Sequence, residues 1–327
     1  MLALLSQKSR LKTQNGISVT AAGFSVARVR QREGMRPELE ACTFHPLLAE
    51  ADAAKDLASL AREYKLGKAP CNAVMEPLTY SLLLIEAPAV PAAELPAAAR
   101  WRIKDLITFP PDQAIVEVFD LPAQPPGRAR TVYVVAARTD TIQGYIKQLH
   151  DADLKLAVID IPELALRNIA ALLAEDARGL ALLHLAQHGG HIILTRQSAL
   201  YLARSIETGS AKLMSHLSQG SPARSDGFNE PTPELKQALD GIILEIQRSL
   251  DYYESHYAQP AITQLVITPM EPEIPGAVNY IAANIGIPTR ELDLNQILQC
   301  TAPITRSLQA RCLLAIGAAL RTGNGAS

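Results

Sequence analysis

The chain has 327 residues, 48% of them hydrophobic and 20% charged, with 31 basic and 33 acidic side chains and a formal net charge of −2. That length supports two cores of roughly 150 residues each, and the evenly mixed charges offer no basic stripe for a phosphate backbone, which excludes nucleic acid as the expected partner. No apolar run reaches the roughly 18 to 20 residues needed to span a bilayer, and the apolar residues 2–5 precede Lys8, Arg10 and Lys12, the reverse of a signal peptide. Cys42, Cys71, Cys300 and Cys312 are isolated in sequence, with no C-x-x-C pair for zinc. A cytoplasmic protein with reduced cysteines is expected.

Residues 17–21, 24–30 and 39–44 alternate around Gly23 and predict an opening antiparallel meander. Residues 49–64 place Ala53, Leu57, Leu60 and Ala61 on one helical face, and 78–85 reads as a buried strand. Pro88, Pro91 and Pro96 then mark a boundary at about Pro91. A helix over 95–107 must end before Pro110-Pro111, whose rings do not tolerate a continuing helix. Strands at 116–120, 132–137 and 156–160 follow, with a helix at 141–150 capped by Asp140 between the last two.

A second meander comes from 181–186, 192–196 and 200–206, with Gly189-Gly190 suited to its first turn. Residues 210–233, rich in Ser, Gly, Pro and Asn, predict a mobile connection. Thr232 and Pro233 then start the clearest helix, its stripe running through Leu235, Leu239, Ile242, Ile246, Leu250, Tyr253 and Tyr257 to about His256. A strand at 264–268, a helix at 274–284, a strand at 290–294 and a final helix at 304–321 complete an α/β pattern.

Three blocks carry a family resemblance: residues 94–122 (ELPAAARWRIKDLITFPPDQAIVEVFDLP), 154–168 (LKLAVIDIPELALRN) and 245–253 (EIQRSLDYY). With weaker matches at 204–209 (RSIETG), Pro275-Gly276 and 314–321 (LAIGAALR), the chain resembles the PilM family of type IV pilus assembly proteins along nearly its whole length. The resemblance implies an actin-like, two-lobed fold of the FtsA/PilM type. Subdomain 1A would comprise residues 1–90 plus the helix at 304–321, an inserted subdomain 1C residues 91–153, and subdomain 2A residues 154–303. Subdomain 2B would be reduced to about 210–233.

The same resemblance locates the family's ATP site, where acidic residues in two hairpins hold Mg²⁺ and glycines admit the phosphates. The first element maps onto 21–28 (AAGFSVAR): Gly23 and the base Arg28 remain, but Ala21 replaces the carboxylate. The second maps onto 184–186 (HLA), with His184 in place of the acid, and the third onto 268–272 (TPMEP), where Thr268 begins a segment without glycine and Glu271 and Glu273 would repel phosphate. Asp160 matches an acidic family position, and its simpler role is to cap the helix after Pro162. No cofactor is therefore expected, the alternative being bound ATP and Mg²⁺.

His184, His188 and His191 lack a neighbouring carboxylate in sequence and read as surface imidazoles rather than metal ligands. Tyr252, Tyr253 and Tyr257 read as half-buried helix-end packing with wet hydroxyls. The implied function is a scaffold at the inner membrane of a Gram-negative bacterium. It would hold the cytoplasmic N-terminal tail of a PilN-like, single-span protein in a groove between 1A and 1C, built in part by Arg100, Trp101, Asp105 and Phe109. An actin-like ATPase, a filament-forming relative and a GspL-like secretion component are the alternatives.

Overall fold

The computed structural model describes residues 12–47, 53–122, 127, 129–218 and 232–322. Strands β1 (Lys12–Thr20), β2 (Gly23–Gln31) and β3 (Glu38–Pro46) make the opening meander, followed by α1 (Ala53–Glu63) and β4 (Cys71–Val74). Next come β5 (Tyr80–Glu86), α2 (Leu95–Arg102), β6 (Ala114–Asp120), β7 (Thr131–Arg138) and α3 (Thr139–Asp151). Strand β8 (Leu156–Asp160) leads into α4 (Pro162–Ala170), and β9 (Leu180–Leu185), β10 (Gly190–Arg196) and β11 (Ala199–Ile206) form the second meander. Helices α5 (Ser210–Ser218) and α6 (Pro233–His256), strand β12 (Leu265–Ile267), helix α7 (Ala277–Asn284), strands β13 (Thr289–Glu291) and β14 (Gln299–Cys300), and helix α8 (Arg306–Ala319) complete the chain.

Each meander seeds one lobe's sheet, and parallel strands extend it. The first sheet runs β14-β3-β2-β1-β4-β8 and the second β11-β10-β9-β12-β13. Helix α8 lies on the first sheet, α4 lies on the second, and the two helices pack against each other between them. Small residues set that approach. A Cβ on Gly16 of β1 would stand 1.8 Å from the Ala315 carbonyl oxygen of α8, and one on Gly317 of α8 would stand 2.3 Å from the Ala165 oxygen of α4. On the far side, α6 buries Leu235, Leu239, Ile242, Ile246 and Tyr253, each aliphatic contributing about 1.5–3 kcal/mol. Thr232 caps it, its Oγ1 accepting the Leu235 N–H at 3.2 Å.

A third sheet, ordered β5-β7-β6, is inserted between β4 and β8. Alternation along its strands divides its faces. Ile85, Val116, Val132, Val134 and Ala136 pack with Leu95 and Ala99 of α2, while Leu82, Leu84, Phe119 and Tyr133 join the second lobe's core.

Sheet membership differs from the boundaries expected near residues 91 and 154. Strand β5 pairs with β7 rather than with the opening meander, and β8 pairs in parallel with β4, closing the first sheet. An apolar run marks a buried strand but not its neighbour. Helix α2 stops at Arg102, well before the prolines. Asp140 lies inside the first turn of α3 and ion-pairs with Arg138, so it does not cap that helix. Of the connection expected at 210–233, residues 210–218 form α5, and 219–231 lie outside the described residues.

Candidate functional site: the seam between the lobes

The first hairpin turn exposes Ala21 and Ala22, and the Ala21 N–H reaches Glu76 Oε1 at 3.4 Å. Gly23 has φ 148°, and a Cβ there would meet the His45 carbonyl oxygen at 2.1 Å. The close passage of β3 requires this glycine whether or not a phosphate binds. Arg28, further along β2, donates to Asn15 Oδ1 at 3.1 Å and to the Lys65 carbonyl at 2.6 Å, fastening the connection ahead of β4.

In the second lobe, His184 and His191 are cross-strand partners on β9 and β10, and both are buried. His184 Nδ1 lies 2.9 Å from Thr268 Oγ1. Burial, with some help from neighbouring His191, pushes the His184 pKa down to about 3, so the ring is neutral across the physiological range. His191 Nδ1 stands 3.4 Å from Glu163 Oε1 in the first turn of α4, and the Tyr80 hydroxyl donates to Glu163 Oε2 at 2.7 Å. Glu163 is thus hydrogen-bonded to Tyr80 of β5 and stands close to His191 of β10, while His184, the cross-strand neighbour of His191, bonds Thr268. Of His184, His188 and His191, His188 alone is exposed. The pairing register, unseen in sequence, turns the other two inward, His191 beside the Glu163 carboxylate and His184 beside the Thr268 hydroxyl. Among the described residues, no group of three or more His, Cys, Asp or Glu side chains is placed to hold a metal ion.

Asp160 ends β8 with 3% of its surface exposed. Its Oδ2 pairs with Arg321 Nη1 at 2.7 Å and its Oδ1 accepts the Ile161 N–H at 3.1 Å. Burial raises its pKa and Arg321 opposes that rise. The N-cap of α4 is Ile161, without a side-chain cap, so Asp160 is an ion-pair partner and not the expected cap. The backbone places it one residue too early.

The second hairpin turn is occupied by the chain itself. At the start of α5, the Ser210 and Ala211 N–H groups donate to the carbonyls of Ala186 and Gln187 at 2.9 and 3.0 Å, and Ser210 Oγ donates to the Glu271 carbonyl at 2.8 Å. Gly209 makes this approach possible, because a Cβ would lie 2.4 Å from both Gln187 O and Gly189 N. The loop after β12 is tied to α8: Arg311 pairs with Glu271 at 2.8 Å and Arg306 with Glu273 at 3.4 Å. The two acids are partly neutralised there, which tempers the repulsion of phosphate expected from their sequence.

On the inserted unit, Trp101 is 67% exposed. It does not pack α2 onto its sheet, a task carried by Leu95, Ala99 and Ile103. Arg100 is half-buried and Asp105 exposed. Phe109 packs at the margin of that core, with the Arg138 guanidinium 6.0 Å from its ring centroid. Tyr253 and Tyr257 are buried with bonded hydroxyls rather than wet ones: Arg196 donates to Tyr253, and Tyr257 donates to the Tyr201 carbonyl. Sequence spacing carried no signal for the pairing of Tyr80, Glu163, His191 and Arg321, whose partners lie far away in the chain.

Comparison with solved structures defines the class. A PilM–PilN type IV pilus biogenesis complex superposes at a TM-score of 0.72, with 18% sequence identity, over 94% of this chain and 96% of that one. The cytoplasmic domain of EpsL, an inner-membrane component of the type II secretion system of Vibrio cholerae, gives 0.47 and 10% identity over 96% and 97%. A Bacteroides thetaiotaomicron protein with an actin-like ATPase fold gives 0.49 and 10% over 96% and 99%. No family model and no curated protein matches the chain. The chain has an actin-like α/β fold.

Proposed function

We propose that this protein is a non-catalytic scaffold of a type IV pilus assembly platform, most similar to MshI of the MSHA system. It would bind the cytoplasmic tail of a PilN- or MshJ-like inner-membrane protein and sit in the cytoplasm beneath that membrane. The likeness to the PilM–PilN complex supports the pilus setting. No helix among the described residues is long and apolar enough to cross a membrane. Its work would be positional, with the inserted unit around Arg100, Trp101, Asp105 and Phe109 helping to build the tail's groove.

The observation that carries the non-catalytic reading is the occupied second hairpin. Its carbonyls accept the N–H groups of α5, and the residue at the acid position is a buried neutral imidazole bonded to Thr268. Hydrated Mg²⁺ needs anionic oxygen there. Ala21 leaves the first hairpin without a carboxylate as well. The alternative, an ATPase using ATP and Mg²⁺, rests on the fold alone.

Two measurements test the reading. ATP with Mg²⁺ should leave the melting temperature unchanged, whereas a ligand at 100 times its Kd contributes about 2.7 kcal/mol. A reproducible rise of several degrees overturns the non-catalytic assignment. Titration with a synthetic PilN-like tail should change the emission of Trp101, the only tryptophan, and a tail that does not bind removes the scaffold assignment.

A further inference from the structure

The chain passes from the first large sheet to the second between β8 and β9, and it returns between β13 and β14. Two rigid lobes turn relative to each other by changing φ and ψ at a few residues of such crossings. Side chains tie both crossings to opposite ends of α8. At the first, the buried Asp160 carboxylate pairs through Oδ2 with Arg321, just past the end of α8, and accepts the Ile161 N–H on Oδ1. The Asp160 carbonyl accepts the Met75 N–H at 2.9 Å, so the last residue of β8 is held from several sides. Helix α4, which follows, is fastened to α8 by Asn168 Nδ2 donating to the Gly317 carbonyl at 2.9 Å.

The second crossing buries Leu292, Leu294 and Leu298. Near the start of α8 the buried Gln309 reaches into it. Its Oε1 accepts the Leu294 N–H at 2.7 Å, and its Nε2 donates to Asp293 Oδ1 at 2.9 Å and to the Ile304 carbonyl at 3.2 Å. Asn295 closes the same loop, with Oδ1 accepting the Ile304 N–H at 2.9 Å and Nδ2 donating to the Ile304 carbonyl at 3.0 Å. Arg306 stands in the first turn of α8, where the helix dipole disfavours a cation. Its bonds to the Met270 carbonyl and to Glu291 of β13 account for that position, and both acceptors belong to the second lobe.

We infer that α8 is a clasp: lying on the first sheet and gripping both crossings, it fixes the two lobes in one relation that needs no ligand between them. Bonds buried in this way have no water to replace them when a crossing turns, so each broken one costs its full desolvation. Because rigid lobes rotate only if both crossings turn together, the grips at the two ends of α8 reinforce each other. The inference goes beyond the scaffold reading, since it concerns motion of the lobes and stands on the crossings whatever the partner is.

Amide hydrogen exchange of the full chain tests the clasp. The Ile161, Leu294 and Ile304 amides are bonded to side chains in the crossings, and they should exchange as slowly as the Leu182 and Ile193 amides in the centre of the second sheet. Arg321→Met removes the first grip and leaves the Leu294 and Ile304 bonds in place. Exchange at those two amides should nevertheless quicken by about tenfold, the size of one lost hydrogen bond of about 1.4 kcal/mol. Gln309→Met gives the reciprocal reading at Ile161 and serves if Arg321→Met does not fold. Spin labels at Met35→Cys, on the β2–β3 turn, and Leu244→Cys, on α6, then report the distance between lobes in a chain also carrying Cys42→Ala and Cys300→Ala. Both label sites are exposed. One narrow distance is expected, with and without ATP and Mg²⁺.

Crossing amides that exchange far faster than the central ones, no change at the second crossing on loss of the first grip, or two separate label distances overturn the clasp. If ATP with Mg²⁺ raises the melting temperature and leaves the distance unchanged, the non-catalytic reading falls and the clasp stands. If it moves the distance, both fall.

Discussion

Replacing Gly317 by alanine sets two effects against each other. Removing a glycine from the interior of α8 favours the helix by about 1 kcal/mol. The new Cβ, however, would sit 2.3 Å from the Ala165 carbonyl oxygen and 2.7 Å from its carbon, both backbone atoms of α4. No rotamer relieves such a contact, and restoring an ordinary 3.4 Å separation moves the helices apart by about 1 Å. Overpacking of this kind costs about 1–3 kcal/mol, and a gap of that width forfeits a quarter to a half of each dispersion contact along the seam. We expect a net loss of about 1–3 kcal/mol, read as a fall of several degrees in Tm and a lower urea midpoint. Gly144→Ala in α3 and Gly241→Ala in α6 are the controls, because a Cβ at either meets nothing within 4 Å; both should stabilise. If Gly317→Ala behaves like these two, the two lobes are not held together by close contact of α4 and α8.

Much of this architecture is legible in sequence because it is written in local periodicity. Thr232-Pro233 and the stripe behind them announce α6, and the two meanders show as short alternating runs on either side of glycines. The PilM-like blocks anticipate the actin-like arrangement, which local pattern alone does not supply. What the sequence hides is long-range. That β8 joins β4 and β5 joins β7 depends on pairing across dozens of residues, and an apolar run looks the same in any sheet. Asp160 was readable as an acid near a helix start, yet Arg321, 161 residues away, decides what it does. His184 and His191 seem scattered in sequence because nothing there states that the hairpin register sets them opposite each other, or that Glu163 comes from α4 to stand beside His191.

Three further outcomes follow from named contacts. Gly23→Ala should destabilise the chain by more than about 1 kcal/mol in chemical denaturation, from left-handed-side φ strain plus the clash with the His45 carbonyl; a neutral result would mean that β3 yields easily and that the glycine is not there for packing. Tyr80→Phe should cost about 1–3 kcal/mol by depriving the buried Glu163 carboxylate of its donor, with faster amide exchange in β5; an unchanged melt would show that the carboxylate finds another partner. Finally, His184 should make stability depend on pH. Its pKa of about 3 in the fold lies below its ordinary 6.5, so between those values the unfolded chain binds a proton that the folded chain refuses. Stability must then fall as the pH drops from about 6.5 toward 3, by at most about 1.4 kcal/mol per pH unit from this group. Asp160, raised by burial, works in the opposite sense, losing stability as pH rises through its folded value, but it is common to both proteins being compared. His184→Gln keeps an amide within reach of Thr268 and removes the titration, so its denaturation midpoint should decline less steeply below pH 6.5 than that of wild type. Parallel profiles would mean that the imidazole takes up its proton without opening the seam, and that it is not held neutral there.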